Sequence, residues 1–178
     1  MASNPVLKEV LDWTLHIMIA IVIGFLIVTF VGQRTLVHDI SMQPTLYEGD
    51  NLVVEKVSPK IGNLKHGDIV VFYVAEEKRQ LIKRLIAVEG DTVEIRDGKV
   101  YVNGAVKEEE YIKEDFTPEG MKPEYSKLTV EKGYIYVLGD NRMNSNDSRS
   151  IGPVEAKNVT GKAILRFYPF NKFGILKR

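Results

Sequence analysis

The spacing of apolar and polar positions changes once along this chain. From Trp13 to Gly32 the run WTLHIMIAIVIGFLIVTFVG contains no Lys, Arg, Asp or Glu. About 20 successive apolar residues is the length at which a helix crosses a bilayer. A buried helix of a soluble protein is one alternative. A cleavable leader is another, but its apolar region is shorter and ends in a small-x-small site, which the following QRTLVHDIS lacks. The run therefore reads as an uncleaved anchor. After residue 33 the pattern breaks into short β-like runs: NLVVEKV, DIVVFYV, QLIKRLIAV, TVEIR, KVYVNGAV, KLTV, YIYVL and GKAILRFY. Pro and Gly cluster between these runs, where they punctuate structure. Asp97-Gly98 separates TVEIR from KVYVN as a tight hairpin requires, and Asn103-Gly104 marks a further turn.

These patterns predict a mainly β domain of antiparallel sheet behind one N-terminal transmembrane helix. Residues 1–12 form a short tail, 13–32 the anchor and 33–178 the β domain, with a small variable insertion at about 96–133. Within the insertion, KEEEYIKEDFTPEGMKPEYSK (107–127) is strongly charged. It reads as a solvated stretch in which Pro118, Gly120 and Pro123 block regular structure.

Composition narrows the chemistry. The 178 residues carry 24 basic and 24 acidic side chains, a formal charge of zero. That balance gives no support to a nucleic-acid partner, which calls for a basic surface. The absence of cysteine excludes thiol catalysis, disulfides and thiolate metal sites. Lys8 precedes the apolar run and Arg34 follows it, so charge alone barely orients the anchor.

Ser41 lies in HDISMQPTLYEGD, just beyond the anchor. A serine nucleophile needs an adjacent base, and the chain has three histidines. His16 falls in the apolar run. His38 has only its neighbour Asp39 to orient it, and His66 sits in the turn LKHGD, where it reads as a surface residue. Lys83 offers an alternative base. In QLIKRLIAV a period of two puts it on one face with Leu81, Leu85 and Ala87, and puts Arg84 on the other with Ile82, Ile86 and Val88. A free lysine has a pKa of about 10.4, but burial disfavours the ammonium and can deliver a neutral amine. A lysine whose amine reaches water from the strand edge is the competing reading. The third polar stretch, LGDNRMNSNDSRSIG (138–152), reads either as a hydrogen-bonded network or as a plain polar loop.

Taken together, SMQPTL (41–46), GDIVVF (67–72), KRLIAVEGD (83–91) and GDNRMNSNDSR (139–149), in that order behind an N-terminal anchor, resemble bacterial type I signal peptidases over nearly the whole chain. The resemblance implies a signal-peptidase-like antiparallel fold and a Ser/Lys dyad that cuts signal peptides from exported precursors. Ser41 matches the nucleophile and Lys83 the general base. Ser145 matches the serine that hydrogen-bonds the lysine amine, with Asp147 supporting that network. Asp140, Arg84 and Arg149 match residues of surrounding ion pairs, and Gly139 matches a glycine at a close approach. It also implies small residues, typically Ala, one and three positions before the cut. Met42, Leu46 and Ile82 are the candidates for lining the pockets, and Gln80, Leu81 and Ile82 would pair with the extended substrate. No cofactor, no metal and no obligate protein partner are implied. The expected partners are signal peptides and the lipid bilayer. The expected location is the plasma membrane, single-pass, with the N-terminus cytoplasmic and the catalytic domain outside.

Three departures from the family stand out. Glu89 replaces a frequent proline and Met143 a frequent Asp. Asp39 occupies a place where some relatives use a serine hydroxyl as an oxyanion donor. An ionised carboxylate cannot donate, so the oxyanion site is expected at the Ser41 backbone N–H. Asp39 should then point away, or a backbone group should supply the second donor. Two rival functions are a self-cleaving Ser/Lys repressor and a non-catalytic, membrane-tethered β-module.

Overall fold

The structure is a computed structural model that describes residues 5–26, 32–75, 77–114, 116–120 and 122–177. An N-terminal helix, Pro5–Leu26, precedes twelve strands: β1 (Gly32–Leu36), β2 (Asn51–Glu55), β3 (Ile69–Val74), β4 (Arg79–Val88), β5 (Thr92–Arg96), β6 (Lys99–Val102), β7 (Ala105–Val106), β8 (Lys127–Thr129), β9 (Tyr134–Leu138), β10 (Val154–Glu155), β11 (Val159–Tyr168) and β12 (Gly174–Ile175). A large sheet runs β1-β2-β11-β3-β4-β9-β10, with β12 added to β11, and a small sheet runs β7-β6-β5-β8. The pairings are antiparallel. All eight β-like runs of the sequence carry strands, and β1, β10 and β12 are additional short ones.

The helix exposes Trp13, Ile17, Ile21 and Phe25. Among the described residues, no helix is long and apolar enough to cross a membrane. Part of the expected span, residues 27–31, lies outside the described residues. Its expected last residue, Gly32, belongs instead to β1 and pairs with Glu55, because the chain is already extended there.

β3 shows why the large sheet is buried on both faces. Val70, Phe72 and Val74 enter one apolar cluster with Leu81, Leu85 and Val137. The alternate residues Ile69 and Val71 enter another with Val37, Met42, Leu46, Leu52 and Val54, as a period of two requires. A third cluster joins Val93, Ile95 and Val100 of the small sheet to Tyr136 and Leu138. The alternation predicted for β4 holds as far as Leu85. A bulge between Leu85 and Ala87 then breaks it, and Ile86 and Ala87 both enter the third cluster. Extra residues in one strand of an antiparallel pair have this local effect.

The two predicted turns form. Asp97 and Gly98 have φ of 50° and 74°, and Asn103 and Gly104 have 51° and 80°, the left-handed pair that a two-residue hairpin needs. The insertion differs from its expected solvated character. Thr117 and Ser126 are buried, Glu109 binds Arg142, and the Tyr111 ring lies 3.9 Å from the Arg84 guanidinium carbon. Buried cations require partners, and this segment supplies them. Pro123 opens a helical turn, Pro123–Ser126, instead of blocking one, since the first helical position needs no N–H from its residue.

Candidate active site

Ser41 sits in the connection between β1 and β2, and that connection is held from two directions. Met42 and Leu46 sink into the second apolar cluster. From the other side, the Asn141 backbone N–H donates to the Ser41 carbonyl at 2.9 Å, and Asn141 Nδ2 donates to the Ile40 carbonyl at 3.2 Å. The polar stretch after β9 thus grips the serine's own backbone. Lys83 comes from β4, directly opposite Val70 of β3. Its Nζ donates to Ser41 Oγ at 2.7 Å and to the Ile82 carbonyl at 3.1 Å.

This contact is closed to solvent: Lys83 is 1% exposed and Ser41 4%. Burial drives the Lys83 amine below the ordinary lysine value. Asp39, Asp147 and Glu77 oppose that drop through their charge, while Arg79 adds to it. Desolvation dominates because the ammonium loses its water, which favours the neutral amine beside the Ser41 hydroxyl.

Of the two alternatives for Asp39, the structure does not show the first: Asp39 points toward Ser41. Its Oδ1 accepts the Ser41 backbone N–H at 2.9 Å and the Ser41 hydroxyl at 2.5 Å. The N–H assigned to the oxyanion is therefore already engaged. The geometry follows from spacing: a carboxylate two residues before an N–H closes a local side-chain turn readily.

The flanking charges form two buried pairs. Arg84 grips Asp140 through Nε at 2.9 Å and Nη2 at 2.7 Å, while Thr45 donates to the same carboxylate at 2.5 Å. This links the Ser41 segment to β4 and to the end of β9. Arg149 binds Asp147 through Nε and Nη2, both at 2.8 Å, and Asp147 also accepts the Gly139 N–H at 3.0 Å. Removing one partner of a buried pair strands a charge in a poor solvent. An Asp140→Ala variant is expected to lose about 3–5 kcal/mol of unfolding free energy, read from its urea midpoint. An unchanged midpoint would deny the pair its structural role.

Gly139 makes the expected close approach. A Cβ there would meet the Ser145 hydroxyl at 2.2 Å and the Ser41 carbonyl oxygen at 2.6 Å, so only hydrogen fits. Ser145 departs from expectation. Its hydroxyl is buried without a hydrogen-bond partner among the described residues and does not bond the Lys83 amine, which is already engaged by Ser41 and the Ile82 carbonyl. His66 pairs with Asp91 at 2.7 Å and is 42% exposed on its side chain, as a surface residue. Glu89 accepts the Gly133 N–H, and Met143 is exposed.

A cleft of about 650 Å³ opens beside the dyad, bounded by Leu36, Asp39, Met42, Arg79, Gln80 and Ile82. One expected lining residue is elsewhere: Leu46 packs in the second cluster. Leu81, expected to pair through its backbone, turns its side chain into the first cluster, because successive side chains along a strand point to opposite faces. The edge of β4 is nevertheless open, since β9 pairs with it only from Arg84 onward. Among the described residues, no cluster of His, Asp or Glu is arranged to hold a metal ion.

The sequence reading did not anticipate Thr45, Asn141 or Arg142. Arg142 donates to the Gly139 carbonyl at 2.8 Å and to both oxygens of Glu109. Glu109 is 33 residues earlier in a charged segment, so nothing local marks it as the partner. Asn141 lies within the quoted GDNR run, and that was its one visible signal.

Comparison with known proteins follows the same lines. The family described as "Signal peptidase, peptidase S26" matches residues 10–168. Signal peptidase I P of Bacillus subtilis subsp. natto is 36% identical over 171 residues, 93% of this chain and 92% of the relative. A probable signal peptidase I-1 of Synechocystis is 39% identical over 170 residues, 90% of this chain and 83% of the relative. Signal peptidase IB of Staphylococcus aureus (strain COL) is 36% identical over 179 residues, 93% of each chain. A crystal structure of a signal peptidase I from Enterococcus faecalis V583 is 34% identical, with a TM-score of 0.49, covering 56% of this chain and 95% of that one.

Proposed function

The chain belongs to the signal peptidase family, peptidase S26, and on that premise we propose that Ser41 and Lys83 carry its chemistry. It is a serine-type endopeptidase that removes signal peptides from precursor proteins. That membership displaces the repressor and the non-catalytic β-module. The observation that carries the dyad is the 2.7 Å contact between the Lys83 amine and the Ser41 hydroxyl, both buried.

In the proposed reaction, Ser41 Oγ attacks the carbonyl carbon of the last signal-peptide residue while neutral Lys83 takes the hydroxyl proton. The carbonyl π pair moves to oxygen and gives an oxyanion within reach of the Ser41 N–H. As the intermediate collapses, the C–N bond breaks and Lys83 returns its proton to the leaving amine. Lys83 then takes a proton from water, whose oxygen attacks the acyl carbon; the C–Oγ bond breaks, Ser41 Oγ recovers the proton from Lys83, and the signal peptide leaves with a new C-terminal carboxyl group. Asp140 and Arg84 tie the Ser41 connection to β4, Asp147 and Arg149 hold the polar stretch after β9 against it, and Gly139 lets them approach.

Met42 and Ile82 are proposed to bound the small pockets, and the open β4 edge at Gln80–Ile82 to pair with extended substrate. Pockets set close against a buried dyad reject large side chains by steric clash. The apolar run from Trp13 to the start of β1 is proposed as a single-pass plasma-membrane anchor with its N-terminus cytoplasmic and the catalytic domain outside. Tethering would hold enzyme and membrane-bound precursor at high mutual concentration.

The test uses the detergent-solubilised full chain and a precursor with Ala at the two expected positions. A product shortened at that bond is expected, and none when the residue before the cut is Trp. Equal cutting of both precursors would overturn the pocket assignment, and no cutting of either would overturn the function.

A further inference from the structure

Asp39 holds both hydrogens that the Ser/Lys chemistry needs elsewhere. The nucleophile's proton must pass to the base, and the backbone N–H of the nucleophile must meet the oxyanion. In this structure the Ser41 hydroxyl donates to Asp39 Oδ1 at 2.5 Å, and the Ser41 N–H donates to the same oxygen at 2.9 Å. Lys83 meets the hydroxyl as a donor, at 2.7 Å. Oδ1 therefore sits where a negatively charged oxygen would develop, with an oxyanion's charge and acceptor character. Asp39 also borders the cleft beside Met42 and Ile82, so a peptide entering that cleft meets it.

We propose that Asp39 is an internal occupant of the oxyanion site, a carboxylate latch that holds Ser41 at rest until the substrate's carbonyl oxygen takes its place. This rests on the Ser/Lys reading above and explains a departure from the family that would otherwise only impair catalysis. The latch is only partly buried, and its neighbours His38 and Ile40 are exposed, so it has an outward path. The latch state has its own charge balance. Burial pushes the Asp39 carboxyl up, but the Lys83 charge, the Ser41 hydrogen bonds and Arg79 outweigh it and hold it below the ordinary aspartate value. Lys83 in turn faces Asp39, Asp147 and Glu77 as anions and Arg79 as a cation. Asp39 thus opposes the desolvation that makes the amine a base. Removing its charge weakens the hold on the N–H, since a neutral oxygen is the poorer acceptor, and lowers the Lys83 value further. The neutral form is the active one, so the rise of activity with pH should move to lower pH.

The test compares wild type with Asp39→Asn and Asp39→Ser, using precursor cleavage and a peptide aldehyde ending in Ala. The Ser41 oxygen adds to the aldehyde carbon, the C=O π pair becomes the oxyanion and Lys83 takes the hydroxyl proton, so affinity reports access to the Ser41 N–H. Tighter aldehyde binding by about tenfold is expected in both variants, the scale of one hydrogen bond to a charged group. The acid limb of kcat/KM should shift to lower pH, because the Asp39 charge that raises the Lys83 value is gone. Aldehyde bound no more tightly by either variant than by wild type would overturn the latch. Wild type that leaves the precursor uncut would instead remove the Ser/Lys reading on which it rests.

Discussion

A Ser41→Ala variant is expected to leave precursor essentially uncut, with kcat lower by about 10⁶-fold, as when another serine peptidase loses its nucleophile. The loss should fall on kcat with little change in KM. Ser41 is 4% exposed and contributes one oxygen beside the cleft that is proposed to bind substrate. Removing that oxygen eliminates the acyl-enzyme, and no neighbouring hydroxyl can replace it. The nearby Ser145 hydroxyl packs against Gly139. Thr45 is committed to Asp140. Fold should survive, because the segment is held by its backbone through Asn141 and by the buried Met42 and Leu46. Quantitative precursor cleavage, with the melting curve as control, measures both parts. Residual activity within tenfold of wild type would transfer the nucleophile elsewhere.

A Lys83→Met variant is expected to lower kcat by about 10²–10⁴-fold, the usual contribution of a positioned acid–base group. Methionine approximates the lysine stem and keeps its packing opposite Val70, so the loss isolates the amine. The wild-type pH profile carries a sign. With neutral amine as the proposed active form and its pKa lowered by burial, activity should rise with pH through a midpoint below the ordinary lysine value of about 10.4. Lys83→Met should lose that limb. A variant that kept it would place the titrating group elsewhere.

The strands were legible because alternation and turn chemistry act locally. Asp97-Gly98 and Asn103-Gly104 reach positive φ with little steric conflict, and TVEIR and KVYVN pair as the hairpin signal suggests. The Ser41–Lys83 pairing was not readable from strand periodicity alone, since 42 residues separate the partners; motif order supplied it. What escaped the sequence depends on tertiary proximity. Leu46 and Ile82 look alike as apolar residues, yet one packs in the interior and the other borders the cleft. The charged insertion resembles solvated chain until Arg142 and Arg84 are seen to need Glu109 and Tyr111. Asp39 was suspect on charge alone, but its direction is set by two hydrogens on Ser41.

The most direct test of the dyad is the titration of Lys83 itself, in full-length protein labelled at the lysine side-chain nitrogen and assigned by the signal missing from Lys83→Met. One amine losing its proton well below the other lysines, in step with the rise in activity, is the predicted result. A Lys83 amine that stays protonated across the pH range where the enzyme is active would contradict its role as the base.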